Sequence, residues 1–207
     1  MLPKSTVSLL LFLTTLTARG DIDLTPSVNE YVAQGIKVQQ LTFKEDKRRI
    51  EYEPPNGWKV DGGPNQLHMV PPQKNFAEAV VAVAQMTKPQ PLDENTIKLL
   101  EQQFVASLPA GSQFVKIEEE VPNSVLLDGN ASFEVTVSYQ SMGEKFLRSA
   151  FFVNLKDTQL MFRLTARKDD FQALHREFKA SMFSWHWIDE SETPTQAGQA
   201  ASLTTAR

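Results

Sequence analysis

The sequence predicts an α+β fold, an antiparallel sheet flanked by helices as an α/β/α sandwich. Three observations predict it. Phe133, Val135, Val137 and Tyr139 alternate with Glu134, Thr136, Ser138 and Gln140, the two-residue period of a strand. Ile97, Leu100, Phe104 and Leu108 recur at three- and four-residue spacing, the period of a helix, as do Phe171, Leu174, Phe178 and Met182. The remaining apolar runs are short and separated by turn residues, so they read as strands joined by tight connections.

Taken in order, Ile36 to Phe43 and Arg49 to Glu53 read as the first two strands. Pro54-Pro55-Asn56-Gly57 then breaks the ladder, because proline donates no hydrogen bond and Asn-Gly favours a turn. Gly62-Gly63-Pro64-Asn65 is a second turn, and Gln66 to Val70 a strand ended by Pro71-Pro72. Phe76 to Met86 is apolar on both faces, as expected of a central strand covered on both sides. Asp93 can cap the first helix, with Glu94 well placed at its positive end, and Pro109-Ala110-Gly111 ends it. Phe114 to Glu119 is a weak strand. Val125 to Leu127 leads into the turn Asp128-Gly129-Asn130, and Phe133 to Gln140 reads as a half-exposed strand. Phe146 to Leu155 and Leu160 to Ala166 complete the strands. Asp169 and Asp170 open the last helix.

Both ends differ from this middle. Lys4 precedes an apolar run from Val7 to Leu16, about ten residues, within the range of a secretion signal and about half a membrane span. Ala18 and Gly20 supply small residues for cleavage, after Gly20 or after Ala18. Residues 1–20 are therefore expected to be a signal peptide and the protein to be exported, periplasmic or secreted. Asp21 to Glu30 is expected to be loose. Residues 36–188 form the expected domain, and 189–207, poor in large apolar side chains, the expected disordered tail.

Composition narrows the chemistry. The chain has no Cys, which removes disulfides, thiol catalysis, Cys-zinc sites and a lipid-attachment residue. Loss of Lys4 and Arg19 with the leader takes the formal net charge from −4 to about −6, which does not suit phosphate backbones. The one basic cluster, Lys47-Arg48-Arg49, lies beside Glu45, Asp46 and Glu51 and reads as a solvated turn. No Gly-x-Ser-x-Gly, phosphate loop or His-Glu-x-x-His pattern is present. Neither a cofactor nor a metal is expected. Trp58, His68 and His186 are the candidate ligand or partner contacts. Trp58 also suits a core anchor under its turn. His186, between Trp185 and Trp187, also suits an aromatic clamp at the structured end. His68 with Glu118-Glu119-Glu120 could form an oxygen-rich metal site, although the acidic run also suits a protected sheet edge.

Ile50-Glu51-Tyr52-Glu53-Pro54-Pro55-Asn56-Gly57-Trp58 resembles the early strand and Pro-x-Gly-Trp turn of the PsbP/Mog-type fold family. The helix from Asp93 to Leu108, the hairpin Leu126-Leu127-Asp128-Gly129-Asn130-Ala131 and the ending Phe171 to Phe183-Ser184-Trp185 follow in that family's order. The resemblance spans roughly residues 36–187. It implies a binding or assembly module rather than an enzyme, with a protein partner in the cell envelope, while the fold by itself does not fix a function. Two alternatives stand beside it. One is a secreted enzyme whose site is assembled from scattered residues such as His68 and the acidic run. The other is an envelope structural component.

Overall fold

The computed structural model describes residues 22–86 and 90–189. The expected leader, and the expected tail beyond Asp189, lie outside the described residues. In chain order the elements are β1 (Ile22–Ala33), β2 (Ile36–Glu45), β3 (Arg48–Tyr52), β4 (Lys59–Gly63), β5 (Gln66–Val70) and β6 (Glu78–Gln85). Then follow α1 (Glu94–Ala106), β7 (Gln113–Pro122), β8 (Ser132–Ser141), β9 (Glu144–Asn154), β10 (Thr158–Arg167), α2 (Lys168–Met182) and β11 (His186–Asp189).

These strands form two antiparallel sheets where the sequence suggested one. The first has the order β1-β2-β3-β11, the second β4-β5-β6-β10-β9-β8-β7. The break after Tyr52 has the predicted cause, Pro54-Pro55 and the turn at Gly57, whose φ is +77°. What the break does is end one sheet, so that the next hairpin starts another. The chain returns at β11, where His186 to Asp189 pair with Glu51 to Arg48.

The ordered fold also begins earlier than expected. Instead of a loose segment over Asp21 to Glu30, Ile22–Ala33 is a strand paired along β2. Ile22 and Leu24 are buried, and the Leu24 amide donates to the Pro64 carbonyl at 3.1 Å, joining β1 to the β4–β5 turn. Two apolar anchors suffice because β2 supplies the hydrogen bonds. Gly62 permits this closure: a Cβ there would lie 2.5 Å from Pro26 Cδ and 2.7 Å from the Leu24 carbonyl oxygen. Gly62→Ala is expected to cost about 1–3 kcal/mol by forcing the sheets apart. Gly63→Ala, which meets nothing within 4 Å among the described residues, serves as the control in urea denaturation.

The helices flank the larger sheet unequally. One face packs on α2 through Phe171, Leu174, Phe178 and Met182, together with the smaller sheet's Leu41, Phe43, Ile50 and Tyr52. The other face carries α1, whose Leu100 and Phe104 cover Phe133, Val135, Val137, Ala150 and Phe152 of β8 and β9. Asp93 caps α1 as predicted, its carboxylate accepting from the Thr96 amide at 2.8 Å. The α/β/α arrangement thus holds for one helix per face, but α2 shares its face with a sheet. Two strand assignments also change. β8 is buried on both faces rather than half-exposed, because α2 covers its polar side. β6 is interior, yet its last residues are exposed, because α1 does not reach it.

Candidate functional site

The short span of α1 leaves part of one sheet face open. On that face, Glu78, Thr165 and Arg148 stand in register across β6, β10 and β9. Alternation along β9 dictates this: Phe146, Arg148, Ala150 and Phe152 share a side, so Arg148 takes a position its neighbours fill with apolar groups. Arg148 is only 6% exposed. Its Nε donates to Thr165 Oγ1 at 2.9 Å and its Nη1 to the Ser107 carbonyl at 3.1 Å. Ser107 is the C-cap of α1, so the guanidinium also meets the negative end of a helix dipole. The Tyr139 ring centroid lies 5.7 Å from its central carbon. Burial pushes the Arg148 pKa down from its usual value. No carboxylate among the described residues lies within ion-pair distance of it.

Above Arg148 is a groove of about 670 Å³, in the range of ligand sites. Val70, Ala77, Pro109 and Phe146 contribute apolar walls, while His68, Glu78, Thr165 and Arg167 contribute polar groups. Phe76 and Met142 form its rim and are 64% and 100% exposed. Both hold left-handed backbone, with φ of +63° and +52°, a costly conformation for large side chains. Arg167 lies 4.7 Å from the Phe76 ring centroid. Tyr139 and Phe146 stack at 5.6 Å, and on the α2 side of the sheet lies a second groove of about 660 Å³, lined by Phe114, Lys145 and Lys168 among others. The surface around the β8–β9 turn thus combines exposed apolar groups with cations, in a chain whose net charge is negative.

The three candidates from the sequence fall in three different places. His68, on β5, lines the main groove, where its Nε2 lies 3.0 Å from Glu78 Oε2. Glu118, Glu119 and Glu120 lie on β7 at the far edge of the sheet, five strand spacings or roughly 24 Å from β5. They do not converge with His68 on a metal or an enzyme site. The acidic run occupies an exposed edge strand interrupted by register shifts, features that discourage further pairing. Trp58 is buried, 4% exposed, and stacks on Phe178 at 6.3 Å, so its ring is a core anchor and not a surface contact. His186 is exposed on β11, with Nδ1 3.4 Å from Asp128 Oδ1. The aromatic clamp is its neighbour Trp185, fully buried among Phe43, Tyr52 and Phe162. The basic cluster is neutralised locally: Arg48 pairs with Glu45 at 2.7 Å and Arg49 with Glu51 at 3.0 Å.

A fourth group was missed in the sequence. Glu134, 1% exposed, faces α2 from β8. His175 Nε2 lies 2.6 Å from its Oε1, Lys179 donates to its Oε2 at 3.0 Å, and the Ser124 hydroxyl donates to the same oxygen. His175 is itself stacked between Phe151 and Phe171, at centroid distances of 5.6 and 5.1 Å. Burial pushes the Glu134 carboxyl up, but the bonds from His175, Ser124 and Lys179 outweigh it, and its pKa falls below the usual value. With Lys179 bound to a carboxylate, neither it nor Ser124 is set up as a base–nucleophile pair; the cluster ties α2 to the sheet.

Among the described residues, no helix is long and apolar enough to cross a membrane. No protein-family model matches the chain, and no curated protein does. Among solved structures, cyanobacterial PsbP (CyanoP) from Synechocystis sp. PCC 6803 is similar over 78% of this chain and 93% of its own, at 13% identity and a TM-score of 0.50. A protein of unknown function from Pseudomonas aeruginosa, PA94, aligns over 75% of this chain and 94% of its own, at 14% identity and a TM-score of 0.42. At such identity the PsbP likeness is one of architecture alone, and in architecture the chain is PsbP-like.

Proposed function

We propose that the protein is an exported, non-catalytic binding or assembly module that docks a protein partner in the cell envelope on the open sheet face around the β8–β9 turn. The observation that carries this is the groove rim. Phe76 and Met142 are large, exposed and held in costly left-handed backbone beside a concave apolar surface. Such residues gain most when a partner covers them. Export rests on the apolar run after Lys4, and cleavage is read out by N-terminal sequencing of the protein recovered from the producing cell. The groove's polar groups, Arg148, Thr165, His68 and Glu78, are hydrogen-bonded to each other or to the backbone, which suits recognition better than proton transfer.

The docking test is an affinity capture from envelope extract with the wild-type protein, Phe76→Asp/Met142→Asp, and the control Leu99→Asp on α1. A partner held by wild type and control, and lost with the double variant, is the expected result. Retention by all three would place the contact elsewhere. Reproducible turnover by the purified protein on a hydrolase panel would overturn the non-catalytic part.

A further inference from the structure

The groove floor specifies what the partner presents. We infer that Arg148 receives a carboxylate carried on an apolar segment of the partner protein, so that the groove reads an acidic side chain flanked by large apolar ones. The proposal rests on the docking face described above and adds the chemistry of its occupant.

Four observations support it. Arg148 is a buried guanidinium whose own partners, Thr165 Oγ1 and the Ser107 carbonyl, are neutral. A charge left in such surroundings is costly, and a carboxylate relieves the cost while gaining a charge-assisted hydrogen bond. Thr165 accepts from Arg148, which leaves its hydroxyl hydrogen free to donate to the same anion. Glu78, the nearest acid in register, is already held by His68 at 3.0 Å and by Arg163 at 3.4 Å, so it does not serve Arg148. Finally, the groove's other cation, Arg167, lies 3.9 Å from Glu144, so Arg148 is the groove's arginine without a carboxylate among the described residues.

A protein segment fits better than a small free acid. The groove over Arg148 is about 670 Å³, and the large exposed groups Phe76 and Met142 stand at its rim. An occupant that covers both Phe76 and Met142 while its carboxylate sits on Arg148 must carry apolar groups beside that carboxylate.

The test is calorimetric titration of the purified protein, at low salt, with acetyl-Phe-Glu-Phe-amide and acetyl-Phe-Gln-Phe-amide, which differ only in the charge. Octanoate serves as the free small acid. The Glu peptide is expected to bind about tenfold more tightly than the Gln peptide, in line with a desolvated charge-assisted contact. Arg148→Lys, which keeps the charge but loses the forked geometry, is expected to reduce that ratio to about threefold or less. Thr165→Val tests the second donor in a milder variant. Equal affinity for the two peptides, no binding of either, or tighter binding of octanoate than of the Glu peptide would each overturn the proposal. The wild-type peptide comparison decides it even if Arg148→Lys folds poorly. Equal peptide affinities alongside a partner lost with Phe76→Asp/Met142→Asp would remove the carboxylate and leave the docking face standing.

Discussion

Replacing Trp185 by Ala is expected to destabilise the protein by about 3–5 kcal/mol, among the largest effects available to a single substitution in this fold. Trp185 is fully buried. Its ring lies 5.7 Å from Phe43 and 5.5 Å from Tyr52, both in the smaller sheet, and 5.2 Å from Phe162 in the larger one. Truncation therefore opens a cavity at the seam where α2 ends, the two sheets meet and β11 begins. The loss includes the transfer energy of the ring and the dispersion contacts of its neighbours. Trp185→Phe is expected to be far milder. It keeps an aromatic at the seam and removes an indole N–H that is buried without a hydrogen-bond partner among the described residues. Urea denaturation of the three proteins measures both differences. A cost below about 1 kcal/mol for Trp185→Ala would show that the sheets are held together elsewhere.

The second large effect lies at Glu134. Glu134→Ala strips the shared partner from His175, Lys179 and Ser124 and is expected to cost about 3 kcal/mol at neutral pH, as breaking a buried ionic network does. The same group makes stability depend on acid. Its folded pKa lies below the ordinary carboxylate value near 4.5, so its contribution is fully present above that value and is lost as pH falls through the folded pKa. Glu134→Gln, which cannot ionise, removes that component. Other depressed carboxylates, Asp23, Asp93 and Glu118, remain in both proteins, so the difference between the two profiles isolates Glu134. The expected outcome is a wild-type advantage that shrinks from neutral pH toward pH 3. Parallel profiles over that range would mean that the carboxylate's charge is not what binds α2 to the sheet.

Local features of the fold were legible because their causes are local. The Asp93 cap, the stripes Leu100–Phe104 and Phe171–Leu174–Phe178–Met182, and the turn at Asp128-Gly129 follow from spacing and turn chemistry within a few residues. Burial of β8 on its polar side was not legible. Glu134, Thr136 and Ser138 alternate with apolar residues as a solvent face would, and only α2, some forty residues later, supplies the partners that let Glu134 go inside. The strand Ile22–Ala33 was hidden for a related reason. It carries two buried anchors, Ile22 and Leu24, and depends on β2 for the rest.

The candidate site was legible in one residue only. His68 lines the groove, but its expected acidic partners lie across the sheet, and its actual one, Glu78, is its neighbour on β6. Arg148 carried a signal that could have been read, a lone cation at an inward position of the apolar strand from Phe146 to Asn154. What could not be read was that α1 stops short of it. By itself the sequence determined the local chemistry: both helices, most of the strands of the larger sheet, the turns that end them, and that no thiol takes part. Tertiary structure alone decided the partition into two sheets, the covering of β8 and the exposure of the groove. Periodicity says that a segment has a face to bury, but which face meets protein and which meets water is set by elements distant in the chain.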